Sequence, residues 1–99
     1  MIIDIQFIQM PTSEAMQELI NKKLNSLARK YDWIIRARVQ FKQENDLKGK
    51  GKICEMELSA PGPRIFAKAS EDDFEKAAAL TIRELEKQLQ KRKAVFQKH

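Results

Sequence analysis

Three successive segments in the second third of the chain alternate apolar and polar residues with a period of two, and no other feature restricts the fold as tightly. In residues 33–42 (WIIRARVQFK), Trp33, Ile35, Ala37, Val39 and Phe41 point one way, and Ile34, Arg36, Arg38, Gln40 and Lys42 point the other. In residues 52–60 (KICEMELSA), Cys54, Met56, Leu58 and Ala60 alternate with Glu55, Glu57 and Ser59. Residues 64–70 (RIFAKAS) set Ile65, Ala67 and Ala69 on one side. Successive side chains of a strand point to opposite faces, so each segment reads as a half-buried strand. The polar run QENDLKGKG at 43–51 reads as a hairpin loop, and Pro61-Gly62-Pro63 as a tight turn. Strands joined this closely form an antiparallel meander with one face on a core and the other in water.

What covers the apolar face is also visible. Residues 2–9 carry a further strand pattern, with Ile3, Ile5 and Phe7 alternating with Asp4 and Gln6. Met10-Pro11 breaks it, Thr12 or Ser13 offers an N-cap, and Glu14 sits in a first turn that favours acids. Met16, Leu19, Ile20, Leu24, Leu27 and Tyr31 then recur at helical spacing, predicting a helix over about 13–30. A second helix is predicted over about 72–93, capped by Ser70 and opened by the acids Glu71, Asp72 and Asp73. Its apolar stripe is Phe74, Ala77, Ala78, Thr81, Ile82, Leu85 and Leu89. The order β-α-β-β-β-α makes an α+β two-layer sandwich: a four-stranded sheet with two helices on one face. With 99 residues, 42% hydrophobic and 33% charged, the chain suits one domain over 1–99 with its own core. On the open face, Arg36 and Arg38 against Glu55 and Glu57 predict cross-strand ion pairs.

Most chemistries lack their residues. One cysteine, Cys54, excludes an internal disulfide, a CxxC motif and a cysteine-rich zinc site, and its phase makes it a buried small hydrophobe. The one histidine is His99, which leaves no Ser-His-Asp set or histidine metal site. There is no glycine-rich phosphate loop, and the acids at 71–73 read as capping partners rather than metal ligands. The expectation is a protein with no catalytic role, no cofactor and no small-molecule substrate. No apolar run approaches the roughly 20 residues of a membrane span, and the start lacks the marks of a signal peptide, so a cytoplasmic protein without a membrane partner is expected.

Charge points to a partner. Nineteen Lys and Arg against fourteen Asp and Glu leave the chain at +5, with a pI near 9.5. Such a balance suits an anionic partner, nucleic acid first. Arg83, Lys87 and Lys91 recur every four residues, a row about 12 Å long at 1.5 Å per residue, which matches several successive phosphates. Arg92 and Lys93 flank the row, and Lys22, Lys23, Arg29 and Lys30 add a strip on the first helix. A helix dipole accounts for one or two cations near a C-terminus, not for a row of this length. The aromatic residues are few and mostly in core phase, so contacts to the backbone of folded RNA are expected rather than stacking on an open platform.

The sequence resembles the bacterial hibernation-promoting factors, also called ribosome-associated inhibitors or ribosomal subunit interface proteins. The resemblance runs over nearly the whole chain. It is carried by Thr12-Ser13-Glu14-Ala15-Met16, Lys23-Leu24, Leu27 and Lys30-Tyr31-Asp32, then Pro61-Gly62 and Ile65-Phe66-Ala67-Lys68-Ala69. Asp73, the alanines at 77–79 and the run from Leu85 to Lys93 complete it. The resemblance implies a fold similar to a double-stranded RNA-binding domain with an extra first strand. It also implies binding in the small ribosomal subunit, where tRNA anticodon arms and mRNA lie, with both helices on rRNA and translation blocked when growth stalls. Lys23, Lys30, Lys87, Lys91, Arg92 and Lys93 match basic positions of the family, and helical geometry adds Lys22, Arg29 and Arg83. The chain departs from the family at Gln6-Phe7-Ile8-Gln9, where a glycine is common, at Ser26, often a lysine, and at Glu75, often an aromatic. It resembles the short form, with no C-terminal domain or extended tail expected, acting as a monomer off the ribosome. Two other readings stand beside this one: a domain for structured RNA away from the ribosome, and a protein-interaction module that uses the open sheet face.

Overall fold

The structure is a computed structural model and describes residues 1–97. Its elements are β1 (Ile2–Phe7), α1 (Glu14–Lys30), β2 (Arg36–Gln43), β3 (Lys52–Ser59), β4 (Ile65–Glu71) and α2 (Phe74–Gln97). The strands lie in the order β1-β2-β3-β4. The β1–α1–β2 unit makes β1 parallel to β2, and the meander makes the remaining pairs antiparallel. This is the β-α-β-β-β-α arrangement expected. Both helices bury their stripes in one core with the same face of the sheet: Ile20, Leu24 and Leu27 of α1, and Ala77, Ala78, Leu85 and Leu89 of α2, against Val39, Phe41, Met56 and Leu58. Phe41 stacks on Phe7 at 5.2 Å and meets Phe74 edge-on at 5.6 Å, which ties β1, β2 and α2 together. No described helix is long and apolar enough to cross a membrane.

The element ends differ from expectation for local reasons. β1 stops at Phe7, short of residue 9, because Gln9 takes a left-handed φ of 53°. β2 starts at Arg36, not at residue 33. The chain turns after α1, with the Ile34 N–H donating to Tyr31 O at 3.1 Å and the Ile35 N–H to Ser59 O at 2.8 Å. That turn reverses the predicted phase of its residues: Ile34 is buried and Ile35 is 60% exposed, while Ala37, Val39 and Phe41 face the core as expected. Trp33 is half-buried between Tyr31 and Phe96.

The caps sort themselves by hydrogen bonds. Ser13, not Thr12, caps α1 and accepts from the Met16 N–H at 3.2 Å. Ser70 stays in β4, and Asp73 accepts from the Lys76 N–H at 2.7 Å in its place at the start of α2. The Lys76 ammonium bonds Asp72, which lowers the Asp72 carboxyl below its usual range and raises the lysine above its own. α2 continues to Gln97, past the predicted end at 93.

Cys54 is fully buried, and burial pushes its thiol up to about 12, partly offset by a hydrogen bond with Thr81. The Thr81 hydroxyl, itself fully buried, lies 2.8 Å from Ala77 O and 3.2 Å from Cys54 O, so the polar group inside the core is satisfied.

The open face is paired differently from expectation. Register sets Arg38 opposite Glu57 and Gln40 opposite Glu55. Glu57 nevertheless bonds Arg64 from the turn before β4, Glu55 bonds Lys42 at 2.8 Å, and Arg36 reaches Asp4 of β1 at 3.7 Å. Lys42 is raised by that bond to Glu55. Arg38 has no ion pair among the described residues.

Candidate nucleic-acid interface

The apolar stripes of α1 and α2 are narrow, so most of each helix surface faces away from the sheet. The nine predicted basic residues lie on those outward surfaces or at their margins, and the structure divides them into groups. Lys22, Lys23 and Lys30 line a groove of about 360 Å³ between the helices, together with Leu19, Leu27 and Ile82. Ser26 and Glu86 complete its polar lining. The Lys30 ammonium crosses the groove to Glu86 at 3.1 Å, which links the two helices. Arg83, Lys87 and Lys91 are all exposed and follow one another at four-residue intervals along α2, as predicted. Lys87 bonds Glu84 one turn back at 3.0 Å.

Arg92 and Lys93 are engaged elsewhere. The Arg92 guanidinium donates to Pro61 O at 2.7 Å and to Pro63 O at 2.8 Å, clasping the turn between β3 and β4. Gly62 makes room for it: φ there is +96°, and a Cβ would stand 3.1 Å from Arg92 Nη1. Lys93 lies over the Tyr31 ring, 5.7 Å from its centre. Arg29 is exposed in the last turn of α1 and does not line the groove. The remaining five, Lys22, Lys23, Arg29, Arg83 and Lys91, make neither an ion pair nor a contact of these kinds among the described residues.

A surface carrying several unpaired ammonium and guanidinium groups along two packed helices can neutralise phosphates at more than one point. Sequence reasoning missed the Arg92 clasp and the Lys30–Glu86 link, because both join positions far apart in the chain. The Pro-Gly-Pro turn was the signal available for the first, since both accepting carbonyls belong to its prolines and its central residue takes positive φ. Among the described residues, no group of three or more His, Cys, Asp or Glu could hold a metal ion.

Comparison with known proteins gives this surface a context. No curated protein sequence matches the chain significantly. Among solved structures, a ribosomal subunit interface protein from Coxiella burnetii is 34% identical, with a TM-score of 0.84 over 95% of this chain and 99% of that one. The N-terminal domain of Protein Y from Thermus thermophilus shares the fold, with a TM-score of 0.76 at 24% identity over 92% of this chain and 98% of that one. The sequence profile of the family described as Sigma 54 modulation protein / S30EA ribosomal protein matches residues 3–96. The match runs from β1 to the last turns of α2, and the chain belongs to this family.

Proposed function

We propose that this chain is a non-enzymatic ribosome-binding factor that inhibits translation by occupying the tRNA and mRNA region of the small subunit. The whole domain, 1–99, carries this role in the cytoplasm, as a monomer off the ribosome. The observation that carries the reading is the pair of helices presenting Lys22, Lys23, Arg29, Arg83 and Lys91 with no acidic partner among the described residues, on a family fold. The Coxiella relative is described as a ribosomal subunit interface protein, which supports the ribosome as the site of action. Lys30 and Lys87, whose own side chains are exposed, reach rRNA by exchanging the half-buried Glu86 and the exposed Glu84 for phosphates, since such solvent-accessible pairs are weak. Arg92 and Lys93 act mainly by holding the end of α2 in place.

Co-sedimentation with small subunits over a salt series tests this reading. Each phosphate contact contributes about 0.7–0.9 to the slope of log affinity against log salt. Changing Lys22, Lys23 and Lys91 together to Gln is expected to weaken binding and lower the slope by about two to three. Lys48→Gln with Lys50→Gln in the hairpin loop is the control, with a smaller effect expected. Parent-like binding by the helix triple variant would refute the site, and binding abolished by excess duplex RNA would favour a general structured-RNA domain.

A further inference from the structure

The sheet face turned away from the helices holds groups that its ion pairs leave over. Register sets Asp4, Arg38, Glu57 and Phe66 in one row across the four strands, and Gln6, Gln40, Glu55 and Lys68 in the next. Each carboxylate in these rows is taken by a cation from outside them: Asp4 by Arg36, Glu55 by Lys42 and Glu57 by Arg64. Arg38 and Lys68 keep no ion pair among the described residues, so the patch is two charges positive. Phe66 stands in the same patch, 49% exposed and outside the core cluster. It is out of phase with its neighbours Ile65 and Ala67, which face inward, and so escapes the burial expected of most aromatic residues in this chain. Arg38, Gln40 and Phe66 line one shallow hollow of about 120 Å³ together with Met56 and the two carboxylates Glu55 and Glu57, both already held by Lys42 and Arg64. On the other side of β2, Arg38 and Gln40 line a second hollow of about 450 Å³ with Asp4 and Gln6. The two carboxamides meet there, Gln40 Nε2 donating to Gln6 Oε1 at 3.3 Å.

An exposed ring on a flat polar sheet, with a guanidinium, an ammonium and carboxamides around it, matches the chemistry of unstacked nucleotides. The ring offers a stacking surface for a base, the cations take phosphates, and the amides pair with base edges. We propose that this face binds a short segment of single-stranded RNA, with a base stacked on Phe66 and the adjoining backbone held by Arg38 and Lys68. An acidic peptide would use the two cations but not the ring. The site lies on the side of the sheet opposite the helices and does not rest on the ribosomal reading of the helical surface.

Fluorescence anisotropy of the full chain with labelled U6 and A6 RNA at low salt tests the proposal. Phe66→Leu, which keeps the apolar character but removes the ring, is expected to weaken binding about tenfold, within the range for losing one stacked base. Phe66→Trp is expected to hold or tighten it, and Arg38→Gln to weaken it and lower the salt slope by about 0.7. Thermal melts of the three variants are expected to match the parent, since these side chains lie outside the core. The Lys22/Lys23/Lys91 triple variant is expected to lose less hexamer affinity than Phe66→Leu while losing small-subunit binding, so failure of one site and failure of the other give different patterns. The proposal is overturned if the parent does not bind either hexamer, if Phe66→Leu binds as the parent does, or if the helix triple variant loses more than Phe66→Leu. It is also overturned if a hexaglutamate peptide binds with the same losses in Phe66→Leu and Arg38→Gln, which would assign the face to an acidic protein segment.

Discussion

The helical layer and the open sheet face are both rich in cations, yet they hold them in different ways. On the sheet, Arg36, Lys42 and Arg64 each meet a carboxylate, because neighbouring strands set side chains from distant parts of the chain beside one another. On the helices, contacts within an element join residues three or four apart; Lys23 and Lys91 have no acid at those positions, Glu18 leaves Lys22 unpaired, and Glu86, three residues after Arg83, turns to Lys30 instead. Glu84 meets Lys87 and Asp72 meets Lys76, and among the described residues the one ion pair between the helices is Lys30–Glu86. Most of the remaining helical cations therefore face solvent unpaired. A net charge read from composition averages over these two surfaces. The useful quantity for binding is the charge left after pairing, and it lies mainly on the helices, with a smaller remainder at Arg38 and Lys68.

Both surfaces depend on the core that joins the two layers. Phe41 is fully buried between Phe7 and Phe74, and Phe41→Ala is expected to cost about 3–5 kcal/mol, read as a lower denaturation midpoint. Small-subunit binding and hexamer binding should then be lost together as the chain unfolds. Survival of either one in the unfolded population would show that a surface does not need the sandwich.

Alkaline pH loads the same core through one group. The Cys54 thiol stands at about 12 in the folded chain against an ordinary value of 9.0. Above pH 9 the unfolded state loses this proton while the folded state keeps it, so stability is complete below that pH and falls as pH rises toward 12. The slope is at most about 1.4 kcal/mol per pH unit from this group. Urea midpoints between pH 8 and 11 measure it, and Cys54→Ala is expected to remove this share of the decline. An equal decline in that variant would assign the effect to other groups.

A smaller effect sharpens the division among the helical cations. Arg92→Ala removes two hydrogen bonds to the Pro61 and Pro63 carbonyls and is expected to cost about 1–3 kcal/mol, with little change in the salt slope of small-subunit binding. Its neighbour gives the opposite pattern: Lys91→Gln should stay within about 0.5 kcal/mol of the parent in stability and lower the slope by about 0.7–0.9. Paired melting and co-sedimentation of the two variants decide between clasp and contact. If Arg92→Ala melts like the parent and loses slope, Arg92 belongs with the phosphate-binding group.

The smallest effect belongs to the paired surface. Arg36→Gln breaks an exposed bond to Asp4 and is expected to cost less than about 1 kcal/mol, with the difference vanishing in high salt. A salt-independent loss would mean that the arginine stem packs on β1 rather than pairing by charge.

Period-two alternation at 37–41, 54–58 and 65–67, and helical spacing from Met16 to Tyr31 and from Phe74 to Leu89, were enough to read the order β-α-β-β-β-α and most of the core. Those signals are local: a side chain two residues on in a strand, or four residues on in a helix, returns to the same face whatever the rest of the chain does. The sequence alone also showed where cations outnumber acids along both helices. Which of them have partners follows from contacts between distant elements. Arg92 finds its carbonyls 31 and 29 residues away, Lys30 finds Glu86 56 residues away, and Glu57 bonds Arg64 although Arg38 lies directly opposite. The exchange of Ile34 and Ile35 likewise follows from how the chain leaves α1 and where Ser59 O waits to receive the Ile35 N–H. Such choices depend on distances between elements that no local pattern encodes, because packing of the whole sandwich sets them.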